Sequence, residues 1–200
     1  MKATFIQRFL AYVIDMILII LIVNIIGSAF NQKQLKELDK ELNDKLNTVE
    51  SVEQFYDASS EELLNELADI QYRIDKASAP ITAVNIIISI GYFIIFQYMN
   101  NGQTLGKKLF KIKVQSEKKE KLSLMQITVR SLLINVIAFN FINVLAVVFL
   151  SKDLYLAVNS IVTFGQWIIF IASVLLILYN KDKNGVHDML AKTKVVNERG

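Results

Sequence analysis

Apolar residues in this chain are concentrated in four long stretches that are separated by polar segments. The stretches predict helical spans over residues 9–30, 81–99, 127–150 and 157–179, and they contain two charged residues, Asp15 and Arg130. A helix of about 18 or more apolar residues is long enough to cross the ~30 Å hydrocarbon core of a bilayer. The pattern therefore predicts an all-α membrane protein with four transmembrane helices in contact with the lipid bilayer.

The composition supports this assignment and excludes several kinds of functional site. Apolar residues make up 53% of the 200 residues and charged residues 20%, against roughly 45–50% and 25% in soluble domains. The lack of cysteine and the single histidine exclude disulfides, thiolate metal sites and multi-histidine metal sites. Because no nucleophile–base pair stands out either, we expect neither an enzyme nor a bound metal or cofactor, and no nucleic-acid partner.

The charges of the connecting segments predict the orientation. Lys2 and Arg8 lie at the N-terminus, segment 100–126 has seven lysines against two glutamates, and the tail 181–200 has five basic residues against three acidic ones. Segment 31–79 has six basic against twelve acidic residues, a net charge of −6. Lysine and arginine are retained on the cytoplasmic side of a membrane. Both termini are therefore predicted to be cytoplasmic, in the cell membrane, with segment 31–79 outside.

The acidic segment is predicted to form a helical hairpin. Its aliphatic residues recur at three- and four-residue spacing in two groups, which is typical of amphipathic helices. The groups are Leu35, Leu38, Leu42, Leu46 and Val49, and Leu63, Leu67, Ile70 and Ile74. With a bend in residues 47–57, the two stripes would pack against each other. Pro80 is predicted to start the second span, which divides the chain into a first transmembrane helix (1–30), the hairpin (31–79) and the remaining spans (80–200).

The basic loop after the second span is predicted to begin with an interfacial helix over residues 104–112. Leu105, Leu109 and Ile112 would face lipid, and lysines on the opposite face would contact anionic lipid headgroups, each contributing about 1 kcal/mol. These lysines are Lys107, Lys108 and Lys111.

The pattern L-x-K-x-K-V occurs twice, at residues 109–114 after the second span and at residues 190–195 after the fourth. Its recurrence predicts two helical pairs in parallel repeat, with the hairpin inserted into the first pair. Residues 112–115 and 122–124 are predicted to pair with each other as a small β-hairpin.

Asp15 needs a physical explanation, because it lies within the first span about 10 Å along the helix from Arg8. A charge near the centre of a membrane helix costs about 2.5–3.5 kcal/mol. Arg8, on the same helix face, and Arg130, at the mouth of the third span, are the expected partners. Two interpretations stay open: a buried ion pair that holds the helices together, or a carboxylate that exchanges a proton for a cation.

Further polar residues lie inside the predicted spans. They are Asn85 on the second, Asn135 on the third, and Asn159, Thr163, Gln166 and Ser173 on one face of the fourth. They can form hydrogen bonds between helices, or they can line a hydrated path. Four short helices leave little room for such a path, so transport through it would require a homo-oligomer.

Three short motifs accompany these charges: residues 8–15 read R-F-L-A-Y-V-I-D, residues 102–107 read G-Q-T-L-G-K, and residues 187–195 read H-D-M-L-A-K-T-K-V. Together with Arg130, they resemble the RDD family of small bacterial membrane proteins, named after an arginine and two aspartates. That family carries R-x-x-A-x-x-x-D in its first helix, G-Q-T-x-G-K after its second, and a tail similar to H-D-x-L-A-G-T-x-V. Lys192 stands where the family usually has glycine. The resemblance covers residues 5–26 and 81–196 and leaves out the hairpin.

The resemblance implies one membrane domain over residues 5–196, with the hairpin as an insertion. It also implies a transport-related protein, because transport is commonly proposed for the family and cation–proton exchange for some members. Such a protein would exchange a monovalent cation for protons through Asp15. Arg8, Arg130 and Asp188, the family's second aspartate, are the further candidate site residues. The alternative is a non-transporting accessory or regulatory subunit that binds a protein partner through the hairpin.

Overall fold

The computed structural model describes residues 1–30, 32–47, 60–118 and 121–198. Its helices are α1 (Phe5–Gly27), α2 (Gln32–Asn47), α3 (Ser60–Ile90), α4 (Gln97–Met99), α5 (Leu105–Leu109), α6 (Leu124–Ile134), α7 (Ile137–Phe149), α8 (Lys152–Tyr179) and α9 (Val186–Ala191), and a π-helical turn (Gly91–Phe96) joins α3 to α4. Two short strands, β1 (Ile112–Ser116) and β2 (Thr193–Asn197), form an antiparallel sheet. The structure is therefore mostly helical, but the prediction of an all-α protein missed the sheet.

The described residues contain three helical segments that are long and apolar enough to cross a membrane: Phe5–Gly27, Glu62–Met99 and Lys152–Tyr179. Helices α6 and α7 pass the same test only together, and they are bent by 64° at the break between them. The structure thus has three candidate spans, or four if the bent pair crosses as one.

The third predicted span is broken at Asn135 and Val136, where the sequence predicted an unbroken helix. Val136 adopts a left-handed conformation with φ of 60°, and Asn135 caps the end of α6. A β-branched residue rarely adopts this conformation, and no glycine or proline marks the position. The sequence therefore carries no glycine or proline signal for this break.

Helix α3 continues through Pro80, so the prediction that this proline starts the second span is wrong. Residues 62–99 form one segment of 38 residues, which is about 57 Å long at 1.5 Å per residue. This length exceeds the ~30 Å core of a bilayer, so part of the segment must extend beyond the hydrocarbon. The predicted second hairpin helix and the second span are thus one continuous element.

Helix α2 packs against the first half of α3. Leu38 and Ile70 are both buried at this contact, 4% exposed each. Ion pairs of 2.6 Å between Lys45 and Glu66 and of 2.9 Å between Arg73 and Glu41 also join the two helices. Members of both predicted stripes are therefore buried, and the predicted bend over residues 47–57 lies almost entirely outside the described residues.

The two L-x-K-x-K-V motifs form the same local structure and pair with each other. Each consists of a short helix, a lysine in the left-handed conformation (Lys111 with φ of 53° and Lys192 with φ of 52°) and a strand. The pairing sets Val114 opposite Val195. The prediction that residues 112–115 pair with residues 122–124 is therefore wrong, because the true partner follows the last span.

Lys192 occupies a position that favours glycine, and its side chain is exposed. A left-handed conformation costs an ordinary residue about 1–2 kcal/mol, of which part is offset by the greater freedom of glycine in the unfolded chain. Lys192→Gly is therefore expected to stabilise the protein by about 0.5–1 kcal/mol. Thermal unfolding in detergent micelles measures this. Lys108→Gly, in the right-handed helix α5, should lower the midpoint, and a decrease for Lys192→Gly would contradict the assignment of strain.

Candidate functional site

The N-terminal residues, helices α5 and α9 and the sheet gather at one end of the helices, called here the basic end. Lys2 forms a bridge with Val196, and the Ala3 amide donates to the Val195 carbonyl at 3.1 Å. Thr4 and Gln7 then start α1 with a capping box. This arrangement places the first turns of α1, with Arg8, against the C-terminal motif.

Asp15 is fully buried, and its carboxylate is bound by one residue of the second span and by residues of the segment that follows it. Its carboxylate accepts hydrogen bonds from the Tyr92 hydroxyl at 2.6 Å, the Thr104 hydroxyl at 2.5 Å and the Gly106 amide at 2.8 Å. The Lys107 Nζ lies 3.9 Å from Oδ2 of the same carboxylate. The prediction that an arginine partners Asp15 is therefore wrong, because the nearby cation is a lysine.

Helix α5 reaches Asp15 because it lies directly on α1. A Cβ atom added to Gly106 would be 2.1 Å from the Ala11 carbonyl oxygen and 2.9 Å from the Asp15 carboxyl, so only glycine fits. Thr104 caps α5 by accepting a hydrogen bond from the Lys107 amide at 3.3 Å. The G-Q-T-x-G-K segment thus supplies the hydroxyl, the amide and the lysine around the carboxylate.

The two arginines meet at Asp188, which is also fully buried. The Arg8 Nη1 lies 3.1 Å from Asp188 Oδ2, and the Arg130 guanidinium forms an ion pair with Oδ1. The Gly185 amide and the Thr193 hydroxyl donate to the same carboxylate at 3.3 and 3.4 Å. The structure therefore brings together Arg8, Arg130 and Asp188, and it places Asp15 in a separate group.

Lys107 does not lie on the exposed face of α5, where it was predicted to contact lipid headgroups. Its side chain is 14% exposed and points to Asp15, whereas Lys108 and Lys111 are exposed. Ile112, predicted to face lipid, is completely buried in β1. Helix α5 ends at Leu109, before the predicted end of the interfacial helix, because the chain turns there into the strand. The lipid-facing assignment therefore fits Leu105 and Leu109, which are exposed.

Outside the candidate spans, burial lowers the pKa values of Lys107 in α5 and His187 in α9. Burial lowers the pKa of Lys107 to about 8, with the field of Arg130 acting in the same direction and the carboxylate of Asp15 opposing it. The pKa of His187 is held well below its usual range by burial first and by Arg130, Arg8 and Lys107 next. His187 Nε2 lies 3.4 Å from Asp188 Oδ2. Lys107 therefore releases its proton more readily than an exposed lysine.

A cavity of about 50 Å³ is lined by residues of both carboxylate groups. Its charged and titratable lining residues are Arg8, Lys107, Arg130 and His187, and its neutral polar ones are Tyr12, Gln97, Ser131 and Asn135. Among the described residues, no group of three or more histidine, aspartate or glutamate side chains is placed to hold a metal ion.

The predicted polar lining residues fall into several environments. Asn135 lines the cavity, and the Ser173 hydroxyl accepts a hydrogen bond from the Val186 amide at 3.2 Å, which ties α8 to α9. Asn85 accepts a hydrogen bond from Ser89 at 3.2 Å within α3. On α8, Asn159 and Gln166 are half-buried and Thr163 is exposed. The structure thus does not gather these six residues along one path.

Sequence reasoning missed several residues of the site, among them Tyr92, Thr104, Gly106 and His187. The G-Q-T-x-G-K segment has the spacing of a helix cap, with threonine followed three residues later by the lysine whose amide it binds, and this spacing could have identified Thr104 as the cap of the predicted helix. No local signal indicated Tyr92, because it is 77 residues from Asp15 in the chain.

Comparison with models of known protein families matches residues 2–192 to the RDD family. Neither the search of curated proteins nor that of solved structures found a match.

Proposed function

Because the chain belongs to the RDD family, whose members are membrane proteins, we propose that it is a transport-related protein of the cell membrane that exchanges a monovalent cation for protons. The observation that carries this proposal is the buried pair of Asp15 and Lys107, with 3.9 Å between the carboxylate and the ammonium. A buried carboxylate requires a positive partner. The partner can be the lysine ammonium or, once the lysine has lost its proton, a metal cation.

The pKa of Lys107 supports such a competition. At about 8, it allows the ammonium to lose its proton near neutral pH. The carboxylate of Asp15 then lacks its compensating charge, which favours entry of a cation. Proton release and cation binding are thereby linked, with one proton leaving for each monovalent cation that binds.

The atoms around Asp15 suit a hard cation. The two carboxylate oxygens, the Thr104 hydroxyl and the Tyr92 hydroxyl lie together, and oxygen ligands of this kind are those that hard metal cations prefer. Both hydroxyl groups can turn their protons away from a bound cation and coordinate it with their lone pairs. The sequence also allowed Asp15 to form a buried ion pair that holds the helices together. In this proposal Asp188 has that role, because its carboxylate ties α1 and α6 to α9.

Proteoliposomes with a trapped pH-sensitive dye test the proposal. Addition of Na⁺, Li⁺ or K⁺ should move protons in the wild type, and the rate should rise with pH around 8, where Lys107 loses its proton. Asp15→Asn should abolish the signal, because the cation loses its carboxylate. Lys107→Arg should also abolish it, because arginine keeps its proton at these pH values.

Lys108→Arg is the matched control, because Lys108 is the next residue on the same helix and is exposed. It should transport like the wild type. Equal proton signals from the wild type and Asp15→Asn, in protein shown to be folded by circular dichroism, would remove Asp15 from the mechanism.

The alternative, an accessory subunit, is favoured by the charged groove between α2 and α3. The groove is lined by Glu41, Lys45, Glu62, Asn65, Glu66, Asp69, Ile70 and Arg73. Deletion of residues 32–76 discriminates between the two functions. Transport should survive the deletion if the exchange reaction is the function, and capture of a partner protein should be lost if the groove is the functional surface.

A further inference from the structure

Two buried guanidinium groups share one carboxylate at the basic end. Arg8 and Arg130 are 10% and 5% exposed in their side chains, and both pair with Asp188. The carboxylate of Asp15 does not neutralise either arginine, because it already pairs with Lys107. Within the part of the chain that the structure describes, the arginine group therefore carries one positive charge in excess.

This excess charge is costly in a buried position. An uncompensated buried ion is strongly destabilising unless a charge of opposite sign or a hydrating environment accompanies it. His187 does not relieve the excess, because a histidine is either neutral or positive. The Arg8 Nε, moreover, is buried and has no hydrogen-bond partner among the described residues. The group thus has a charge and an N–H donor to offer to an anion.

The cavity provides a place for that anion. Arg8 and Arg130 line it together with Lys107, whose charge Asp15 balances. Neutral groups that can donate hydrogen bonds also line it, namely Tyr12, Gln97 and Asn135. Its volume of about 50 Å³ exceeds the roughly 10–15 Å³ that one water molecule requires. A single small anion therefore fits this space.

We propose that the cavity binds one monovalent inorganic anion of halide size, held between the guanidinium groups of Arg8 and Arg130. The anion would neutralise the excess charge and accept a hydrogen bond from the Nε–H group of Arg8. This site does not depend on the exchange reaction proposed above. Asp15 stays neutralised whether Lys107 or a metal cation accompanies it, so the charge balance at the arginines is the same in both states.

Equilibrium dialysis of the purified, full-length protein against radiolabelled chloride tests the proposal, with sodium gluconate keeping the ionic strength constant. The wild type should bind chloride saturably, with one ion per chain. Arg8→Gln removes the excess charge and should weaken the affinity by at least about tenfold, which corresponds to 1.4 kcal/mol. Arg73→Gln, at an exposed arginine of the α2–α3 contact, is the control and should bind like the wild type.

A second measurement needs no variant. At constant ionic strength, chloride and bromide should raise the thermal unfolding midpoint of the wild type above its value in gluconate, because a ligand of the folded state stabilises it. Equal midpoints in all three salts, or unchanged chloride binding in Arg8→Gln, would overturn the proposal. Competition by inorganic phosphate or by micelles of an anionic phospholipid at concentrations below those of chloride would also overturn it, since the ligand would then be a phosphate.

Discussion

Asp188→Asn is expected to destabilise the protein by about 3–5 kcal/mol, the usual consequence of removing one member of a buried ion pair. The substitution keeps the shape of the side chain but leaves Arg8 and Arg130, both almost completely buried, without their carboxylate. The free energy of unfolding in mixed detergent micelles, followed by far-ultraviolet circular dichroism, measures the effect.

Asp182→Asn is the matched control for this experiment. Asp182 pairs with Lys2 at 2.6 Å, but its side chain is 72% exposed. Water therefore solvates each partner when the other is removed, and exposed pairs contribute little. The control should have nearly the wild-type unfolding midpoint.

A double variant distinguishes two effects of Asp188→Asn: the lost attraction between the carboxylate and the arginines, and the cost of a buried arginine without a partner. Adding Arg8→Gln to Asp188→Asn removes one of the two guanidinium groups that the first substitution leaves unpaired. The double variant should therefore recover part of the lost stability, and a coupling of this kind is expected only for residues in contact. Simple additivity of the two effects would contradict the shared buried ion pair.

Gly106→Ala is expected to have the second largest effect, a loss of about 1–3 kcal/mol from overpacking. The new Cβ would be 2.1 Å from the Ala11 carbonyl oxygen, which is backbone and cannot move aside. Helix α5 must then separate from α1, and the hydrogen bond from the Gly106 amide to Asp15 is lost with it. Thermal unfolding should show the loss of stability, and the proton signal in proteoliposomes should decrease as well.

Gly165→Ala, in the middle of α8, is the control for the glycine substitution. A Cβ at Gly165 meets no atom within 4 Å, and alanine favours a helix by roughly 0.5–1 kcal/mol over glycine. The midpoint of this variant should stay the same or rise. If Gly106→Ala behaved in the same way, the close approach of α5 to α1 would be refuted.

The sequence predicted the features that depend on local pattern. Long apolar stretches led to the helices of the candidate spans. The motifs around Arg8 and Asp15 led to the family that the comparison confirmed. These predictions succeeded because hydrophobic length and motif spacing are readable within a short segment.

The partners of the charged residues were decided by the tertiary structure. Arg8 and Arg130 were both reasonable partners for Asp15 by sequence, yet the Asp15 carboxylate binds the segment around Gly106, 91 residues away. That choice depends on the absence of a side chain at Gly106, which lets α5 reach α1 and leaves both arginines to Asp188. The pairing of β1 with β2 has the same origin, since it joins segments that are far apart in the chain. Hydrophobic length and cap spacing are properties of a segment, whereas the partner of a buried charge is set by whichever helices pack closely enough to exclude water around it.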